Sequence, residues 1–259
     1  MVRPKKHLGQ HFLTDKNIAK KITQCLSPEY SSVCELGPGT GILTEILLTN
    51  ASLSSLTLIE IDSESVEYLH ENFHDERLNI VEADFLKMNL SEIMKSPFAL
   101  IGNFPYNISS QIFFKVIEYR NNIPEIVGMI QKEVAERIVA HSGNKTYGIL
   151  SVLLQAWFDI EYCFTVNETV FFPPPKVKSA VIKLRRNATK NLDCDETLFR
   201  KVVKAGFGQR RKTLRNALKP LTGTLGNNHF LLDKRAEQLD VSDFVELTRF
   251  VKTALKKTS

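Results

Sequence analysis

Short apolar runs alternate with amphipathic segments over the first half of the chain, and this alternation constrains the fold more than any other feature. Runs typical of buried strands lie at residues 32–36, 56–61, 78–82, 98–102 and 126–130. Helical patterns lie at residues 14–26, 42–49, 63–73 and 108–119. Strands and helices in alternation are joined by right-handed crossovers, which produces a buried parallel sheet with helices on both faces. The sequence therefore predicts an α/β fold.

The pattern changes in the last third of the chain. Residues 159–166 and 177–185 are expected to close the sheet as two strands, joined through Phe171-Phe172-Pro173-Pro174-Pro175. The polar residues 186–193 resemble a linker. Only helical patterns follow it, at residues 196–205, 210–218, 234–239 and 242–255. We therefore expect an α/β domain over residues 1–186 and a small all-helical domain over residues 187–259.

Composition narrows the class of protein. The 259 residues are 43% hydrophobic and 24% charged, which is ordinary for a soluble globular chain. There is no run of 18 apolar residues, and the basic first residues lead into no apolar stretch, so we expect neither a membrane span nor a secretory signal. The four cysteines are scattered without a CxxC pair, which argues against a zinc knuckle and favours reduced thiols. We expect a cytoplasmic monomer with no bound metal.

Positive charge is concentrated in two segments. Residues 1–21 hold six Lys and Arg against one acid, and residues 200–219 hold eight Lys and Arg and no acid. Such a surface is typical of proteins that bind polyanions. In a helix predicted over residues 210–218, Arg211 and Arg215 share one face, and Arg210 and Lys212 flank it. We expect these four side chains to bind nucleic-acid phosphates, with a solvated helix face as the alternative.

A glycine-rich loop follows the first predicted strand. Gly37, Gly39 and Gly41 have the spacing GxGxG, and no GK[ST] sequence follows them. Glycines here let the backbone turn sharply and approach a ligand at the carboxyl edge of the sheet. The spacing is not that of a phosphate-binding loop. On its own, the loop is also compatible with a tight turn and no ligand.

Acidic residues mark the ends of the next two strands. Glu60 lies 23 residues after Gly37, where an acid can accept hydrogen bonds from both ribose hydroxyls of a nucleoside. Asp84 follows the third strand and is placed to meet an adenine amine. Each acid alone is more often a helix cap or a surface charge. Together with the glycines, they predict a nucleoside site that binds no phosphate, as S-adenosylmethionine requires.

The fourth strand ends in Asn103-Phe104-Pro105-Tyr106, and this loop indicates chemistry on an amine. The amine of adenine is a poor nucleophile because its lone pair is delocalised into the ring. The side-chain oxygen of Asn103 and the carbonyl of Phe104 can accept its two hydrogens and favour a tetrahedral nitrogen. Pro105 stiffens the loop, and Tyr106 offers a ring on which an extruded base can stack. We predict that these four residues are catalytic, with an Asx turn before a proline as the alternative.

Five separated motifs make the chain resemble the small-subunit ribosomal RNA adenine dimethyltransferases of the KsgA type. They are GQHFL at residues 9–13, ELGPGTG at 35–41, the loop at 102–109, FPPPKVKS at 172–179 and FGQRRKTLRN at 207–216. The resemblance implies a Rossmann-like S-adenosylmethionine methyltransferase domain and a helical RNA-binding domain. It also implies dimethylation of two adjacent adenines in a hairpin near the 3′ end of 16S RNA. The partner would be small-subunit RNA or a pre-assembled particle, and the reaction would be coupled to small-subunit maturation.

The resemblance also assigns contacts to the cofactor. They map onto His11, Leu13, Gly37, Glu60, Asp84 and Asn103, and Gly39 belongs to the same loop as Gly37. Position 11 is His where members of the family often have Asn. Phe104 replaces a common Leu, and we expect tolerance because its backbone carbonyl makes the proposed contact.

Three other functions stay open. His70 and His74 stand in an HExxH pattern typical of zinc peptidases. However, this predicted helix starts just after Glu60, so its far end points away from the carboxyl edge of the sheet. The second alternative is a methyltransferase that acts on large-subunit RNA and gives antibiotic resistance. The third is a ribosome-assembly or transcription factor that binds RNA or DNA without turnover.

Overall fold

A computed structural model of the chain describes residues 2–94, 96–223 and 229–258. The strands among them are β1 (Phe12–Leu13), β2 (Ser32–Leu36), β3 (Ser55–Glu60), β4 (Leu78–Glu82), β5 (Ala99–Asn103), β6 (Glu125–Gln131), β7 (Phe158–Val166), β8 (Phe171–Phe172) and β9 (Ser179–Arg186). The α-helices are α1 (Lys16–Gln24), α2 (Ile42–Leu47), α3 (Ser63–Asn72), α4 (Leu90–Ile93), α5 (Ser109–Glu118), α6 (Lys132–Val139), α7 (Ile149–Gln155), α8 (Glu196–Gly208), α9 (Leu214–Ala217), α10 (Lys219–Thr222) and α11 (Val241–Thr258). None of these helices is long and apolar enough to cross a membrane.

Internal contacts divide the chain into two compact units. The first comprises Met1–Ala135 and Asp159–Arg186, and the second comprises Glu136–Phe158 and Asn187–Ser259. The chain crosses from one unit to the other at residues 135–136, 158–159 and 186–187, and the polar linker begins at the third crossing. Residues 136–158, which we expected in the α/β domain, group instead with the helices of the second unit.

The first unit is built on a seven-stranded sheet in the order β4-β3-β2-β5-β6-β9-β7. Strands β4, β3, β2, β5 and β6 are parallel, and β9 is antiparallel to β6. Leu36 lies opposite Ile59, and Glu60 lies opposite Glu82, so the carboxyl ends of the parallel strands meet at one edge. Strands β1 and β8 form a separate antiparallel pair. The predicted α/β sheet is confirmed.

The central strands are buried because their residues are apolar almost without interruption. Leu56 and Leu58 of β3, and Leu100 and Ile101 of β5, have no exposed surface. A parallel sheet covered on both faces requires such strands. Two of the helices start at carboxylate caps: Asp15 accepts the amide hydrogens that begin α1, and Asp62 caps α3.

Helix α8 is at the centre of the second unit. Phe199 is fully buried, and Trp157 meets it edge-on with ring centroids 6.2 Å apart. Phe207 stacks on Phe244 of α11 at 6.0 Å. A Cβ on Gly206 would lie 3.0 Å from the Leu214 side chain, so glycine allows α9 to approach α8 closely.

The helix predicted over residues 210–218 is wrong. Helix α8 ends at Gly208, and the chain turns before α9 begins at Leu214. A hydrogen bond of 2.8 Å from the amide of Lys212 to the carbonyl of Gln209 closes the turn. The break follows from Gly208, which weakens a helix, and from Thr213, whose extended backbone starts a new one. Arg211 and Arg215 therefore do not share one helix face.

Candidate active site at the carboxyl edge of the sheet

The glycine loop joins β2 to α2 with a backbone that other residues rarely adopt. Gly37, Gly39 and Gly41 have φ angles of 67°, 56° and 78°, all in the left-handed region. A Cβ on Gly39 would lie 2.8 Å from the ring of Phe12, so glycine also allows a close approach there. The loop therefore presents its backbone, rather than side chains, to the adjoining pocket.

A pocket of about 470 Å³ opens beside this loop. It is lined from the segment before β1, the glycine loop, the end of β3 and the end of β5, namely by Leu8, Gly9, Gln10, His11, Phe12, Gly37, Gly39, Glu60, Ile61, Asn103, Phe104, Pro105 and Tyr106. Of the ten residues predicted from the sequence to act in the chemistry or to bind the cofactor, all but Leu13 and Asp84 are among these. No Lys or Arg belongs to this lining.

Glu60 is nearly buried and is oriented by backbone groups. One carboxylate oxygen accepts the amide hydrogen of Gly39 at 3.1 Å, and the other accepts those of Ile61 at 2.9 Å and Asp62 at 3.0 Å. Burial raises the pKa of Glu60, and these three hydrogen bonds oppose the rise because they favour the charged form. The carboxylate is thus held in place before any ligand binds.

Asp84 lies at the next strand end but does not line the pocket. The amide hydrogen of Ala83 bonds to the carbonyl of Glu60 at 2.8 Å, which places the two strand ends side by side. One carboxylate oxygen of Asp84 accepts the amide hydrogen of Leu86 at 2.9 Å, and the other is 3.3 Å from the Lys87 ammonium. Asp84 is therefore near Glu60 and is fixed by its own loop.

The loop after β5 brings the predicted catalytic residues into the pocket. The side-chain amide of Asn103 donates a hydrogen bond of 2.8 Å to the carbonyl of His11. This bond fixes the amide group, so its oxygen stays available as an acceptor. The Tyr106 hydroxyl lies 2.5 Å from the Ser179 hydroxyl, and its ring stacks on His11 at 5.5 Å.

Phe104 supplies its backbone to the pocket while its ring is fully buried. The ring meets Phe113 edge-on at 6.0 Å. A Cβ on Gly128 would lie 2.6 Å from this ring, and a Cβ on Gly102 would lie 3.0 Å from it. The two glycines make room for Phe104, which explains how this sequence holds a larger residue than Leu in the loop.

The segment before β1 is attached to the start of α3. The Asp62 carboxylate, which is buried, binds the Lys5 ammonium, accepts a hydrogen bond of 3.1 Å from Gln10 and accepts another from Ser65. Burial by itself would raise the pKa of Asp62, but the hydrogen bonds from Lys5 and Gln10 lower it. No sequence pattern predicts the roles of Asp62 and Gln10, because these roles depend on contacts between distant parts of the chain.

A smaller pocket of about 300 Å³ adjoins the first one behind the glycine loop. Leu13, Glu35, Gly37 and Asn103 are among its lining residues. Glu35 is buried and accepts a hydrogen bond of 2.7 Å from the Thr44 hydroxyl. Burial raises the pKa of Glu35 to about 8, and the Thr44 bond opposes the rise. Leu13 thus lines this smaller pocket and not the larger one.

The four basic residues predicted to bind RNA divide into two pairs. Arg210 donates a hydrogen bond of 2.8 Å to Glu237 and another to the carbonyl of Lys145. Arg215 pairs with Asp233 at 2.9 Å. The side chains of Arg211 and Lys212 are exposed and make no hydrogen bond or ion pair with the residues that the structure describes. Arg210 and Arg215 therefore form ion pairs within the second unit, whereas the side chains of Arg211 and Lys212 are exposed to solvent.

The HExxH pattern does not form a helical pair of histidines. Helix α3 ends at Asn72, and Phe73 is extended, so His74 lies outside the helix that carries His70. Within residues 2–94, 96–223 and 229–258, no group of three His, Cys, Asp or Glu residues is arranged to hold a metal ion.

Comparisons with known proteins agree with this geometry. The sequence profile described as ribosomal RNA adenine dimethylase matches residues 1–253. "Ribosomal RNA small subunit methyltransferase A" of Parabacteroides distasonis is 56% identical over 99% of this chain and 97% of its own. The protein of that name from Cytophaga hutchinsonii is 55% identical over 96% of this chain and 98% of its own.

Two solved structures resemble the chain as a fold. A dimethyladenosine transferase from Plasmodium falciparum has a TM-score of 0.76 and 27% identity, and covers 94% of this chain and 98% of its own. The 23S rRNA methyltransferase ErmE has a TM-score of 0.64 and 26% identity, and covers 92% of this chain and 99% of its own.

Proposed function

Since the chain belongs to the ribosomal RNA adenine dimethylase family, we propose that the pocket at the carboxyl edge of its sheet performs the reaction of that family. The enzyme is an S-adenosylmethionine-dependent methyltransferase of small-subunit ribosomal RNA. It converts the exocyclic amines of two adjacent adenines into dimethylated amines. The observation that carries the proposal is the Asn103 amide, which the His11 carbonyl holds inside the pocket.

The residues of the pocket fit S-adenosylmethionine. Glu60 is preoriented to accept hydrogen bonds from the two ribose hydroxyls, and no cation lines the pocket to hold a phosphate. Gly37 and Gly39 leave room for the methionine part beside His11 and Leu13. Asp84 would receive the adenine amine from the neighbouring strand end. When bound, the cofactor supplies an electrophilic methyl group on a sulfonium.

Asn103 and its loop act on the nucleophile. The Asn103 side-chain oxygen and the Phe104 carbonyl accept the two hydrogens of the adenine amine, which draws its lone pair out of the ring and towards the methyl group. Pro105 keeps both acceptors fixed, and Tyr106 supports the extruded base by stacking. The methylated amine becomes acidic and gives its proton to solvent, so catalysis consists mainly of positioning.

The names of the relatives support the small subunit as the substrate. Proteins more than half identical to this chain are named as small-subunit methyltransferases, whereas the 23S rRNA enzyme is 26% identical. We propose that Arg211 and Lys212 contribute phosphate contacts from the second unit. Arg210 and Arg215 would support that surface through their ion pairs. We further propose that the enzyme is cytoplasmic and acts as a monomer on a pre-assembled particle.

The decisive experiment measures small-subunit RNA from a strain that lacks this gene. Mass spectrometry should show the two adenines unmethylated, and expression of the wild-type chain should restore them. Expression of the Asn103→Ala variant should not restore them, although the variant binds the particle almost normally, because its contacts mature in the transition state. Methylation found only in large-subunit RNA would contradict the proposed substrate, and normal turnover by the variant would contradict the role of Asn103.

A further inference from the structure

A short segment borders the catalytic pocket and is fixed at both ends. We call residues 172–178 the arch. At its start, Phe172 pairs with Phe12, and the Pro173 carbonyl accepts a hydrogen bond of 2.7 Å from the His11 ring. At its end, the Lys178 carbonyl accepts the amide hydrogen of Lys132 at 2.9 Å. Ser179, the next residue, holds the Tyr106 hydroxyl.

The arch is also stiff. Pro173, Pro174 and Pro175 follow one another, and each proline ring fixes its own backbone φ angle. His11, which is bonded to Pro173, and Tyr106, which is bonded to Ser179 directly after the arch, both line the pocket. The side chains of the arch are thus held at a constant position relative to the site where the target base is methylated.

The side chains that the arch presents are apolar or cationic. Phe172 is 62% exposed and Val177 is 47% exposed, which makes them two of the most exposed large apolar residues in the described part of the chain. Lys176 and Lys178 are exposed and make no ion pair or side-chain hydrogen bond with any described residue. Residues 169–192 contain six Lys and Arg and no acid, so no carboxylate within this stretch neutralises the two ammonium groups.

We propose that the arch binds the RNA strand on either side of the target adenine. Lys176 and Lys178 contact its phosphates, and Phe172 and Val177 contact its bases. The inference rests on the proposed function, because it assumes that the adjoining pocket takes an adenine from RNA. Two free cations beside an exposed ring are complementary to a nucleotide chain, which alternates phosphates with flat bases. Because the arch is already rigid, binding orders little additional backbone.

The arch would give this enzyme a second RNA contact, separate from the turn at Arg211 and Lys212. Phosphate contacts next to the extruded base would fix the strand at the point where the adenine leaves the stack. Base choice would remain with Asn103 and Phe104. The arch would therefore contribute affinity and register, and not specificity for adenine.

The test uses the full-length double variant Lys176→Gln/Lys178→Gln. The probe is the small-subunit particle purified from a strain that lacks this methyltransferase. We expect binding to weaken by about tenfold or more at moderate salt, and the log–log salt slope to fall by roughly one unit per lost phosphate contact. Affinity for S-adenosylhomocysteine, measured by calorimetry, should stay within about twofold, since the arch does not line the cofactor side of the pocket.

The matched control is Lys190→Gln/Lys256→Gln, at two exposed lysines that lie outside the arch and outside both basic segments, which removes the same charge from the chain. An equal loss in the control would mean that only net charge matters and would overturn the inference. Weaker binding with an unchanged salt slope would indicate contact with a ribosomal protein, and would also overturn it. If the wild-type chain methylates the particle but the arch variant binds like wild type, only the arch inference fails. If the wild-type chain does not methylate the particle at all, the proposed function fails.

Discussion

Glu35 sits behind the glycine loop with almost no exposed surface, and its carboxyl group is bound by one hydroxyl, that of Thr44. Because burial raises its pKa to about 8, the folded chain holds a proton there that the unfolded chain releases near the ordinary pKa of 4.5. The resulting stabilisation is complete below the unfolded pKa. It is lost as the pH rises through the folded pKa of about 8.

Substituting Glu35→Gln should remove this dependence. Between about pH 5 and pH 9, the free energy of unfolding of the wild type should fall by roughly 2–5 kcal/mol relative to that of the variant. Urea unfolding at several pH values measures the difference. Glu67→Gln, at an exposed position of α3, is the control and should show no such trend. Parallel curves for wild type and Glu35→Gln would show that Glu35 keeps the same protonation state in both the folded and unfolded chain.

Among single residues, the sequence predicted those whose proposed roles follow from their position next to a strand end. Asn103, Tyr106, Glu60 and the glycines could be identified because each follows directly from a strand end. Asp62 could not, because its role is to bind Lys5 and Gln10, which lie more than fifty residues away in sequence. Hydrophobic periodicity carries no information about such pairs.

Among the elements, α5 connects the catalytic loop to the loop that carries Asp84. Lys115 of α5 is nearly buried, and its ammonium donates hydrogen bonds to the carbonyls of Leu86, at 3.1 Å, and Met88. It also lies 5.5 Å from the centre of the Phe85 ring. Burial lowers the pKa of Lys115. Helix α5 begins just after the proposed catalytic loop. It therefore helps to position both that loop and the loop that carries Asp84.

Substituting Lys115→Met should weaken cofactor binding without affecting RNA binding. Two carbonyls of the loop that orients Asp84 lose their donor, so this loop is held less firmly and the affinity for S-adenosylhomocysteine should fall by roughly 5- to 50-fold. Calorimetry measures this affinity, and thermal unfolding verifies that the variant is folded. Lys87→Met is the control. It removes an exposed partner of Asp84 and should cost less than about threefold. Equal affinities for Lys115→Met and wild type would exclude the positioning role.

The turn between α8 and α9 separates the proposed RNA contacts of Arg211 and Lys212 from the structural contacts of Arg210 and Arg215. Replacing Arg211 and Lys212 by Gln should flatten the salt dependence of particle binding by about one log–log unit per lost contact, and leave stability unchanged. Replacing Arg210 by Gln should instead lower the free energy of unfolding by roughly 1–2 kcal/mol, because Glu237 and the Lys145 carbonyl lose their donor. Salt-series binding and urea unfolding of both variants make the comparison. If the salt slope changed only in the Arg210 variant, the assignment of Arg211 and Lys212 to RNA and of Arg210 to stability would be wrong.

The sequence could not predict this turn. Arg and Lys are good helix formers, so the run Arg210-Arg211-Lys212 continues a helical pattern across the point where the backbone breaks. Only Gly208 and Thr213 mark the break, and both residue types also occur inside helices. The pairing of Arg210 with Glu237 depends on the fold of the second unit, which periodicity does not reveal.

For the whole molecule, cofactor binding and folding are linked. A ligand that binds only the folded chain stabilises it, by about 2.7 kcal/mol at a concentration one hundred times its dissociation constant. The shift should be much smaller for Glu60→Ala at the same concentration, because losing the oriented carboxylate weakens binding by roughly 1–3 kcal/mol. Thermal unfolding over a range of S-adenosylhomocysteine concentrations tests this. A Glu60→Ala protein with the full wild-type shift would remove Glu60 from the site.

The alternation of strands and helices was sufficient to predict the sheet, because buried parallel strands leave a strong pattern in the sequence. It was not sufficient to assign residues 136–158, whose short apolar helix α7 belongs to the second unit. An apolar run of that length is equally compatible with either unit. Its place depends on contacts with α8 and α11 that no local signal records.

The proposed role of Asn103, whose amide is bonded to the His11 carbonyl, also predicts which bases the enzyme rejects. Because the Asn103 amide nitrogen is bonded to His11, the side-chain oxygen of Asn103 is the atom that the proposed role turns towards the target, and the Phe104 carbonyl is a second acceptor. Adenine presents two hydrogens there, whereas deaminated adenine presents a carbonyl oxygen. Lone pairs would then face lone pairs. An RNA in which hypoxanthine replaced the target adenine would therefore be refused by electrostatic repulsion, although its shape is nearly the same.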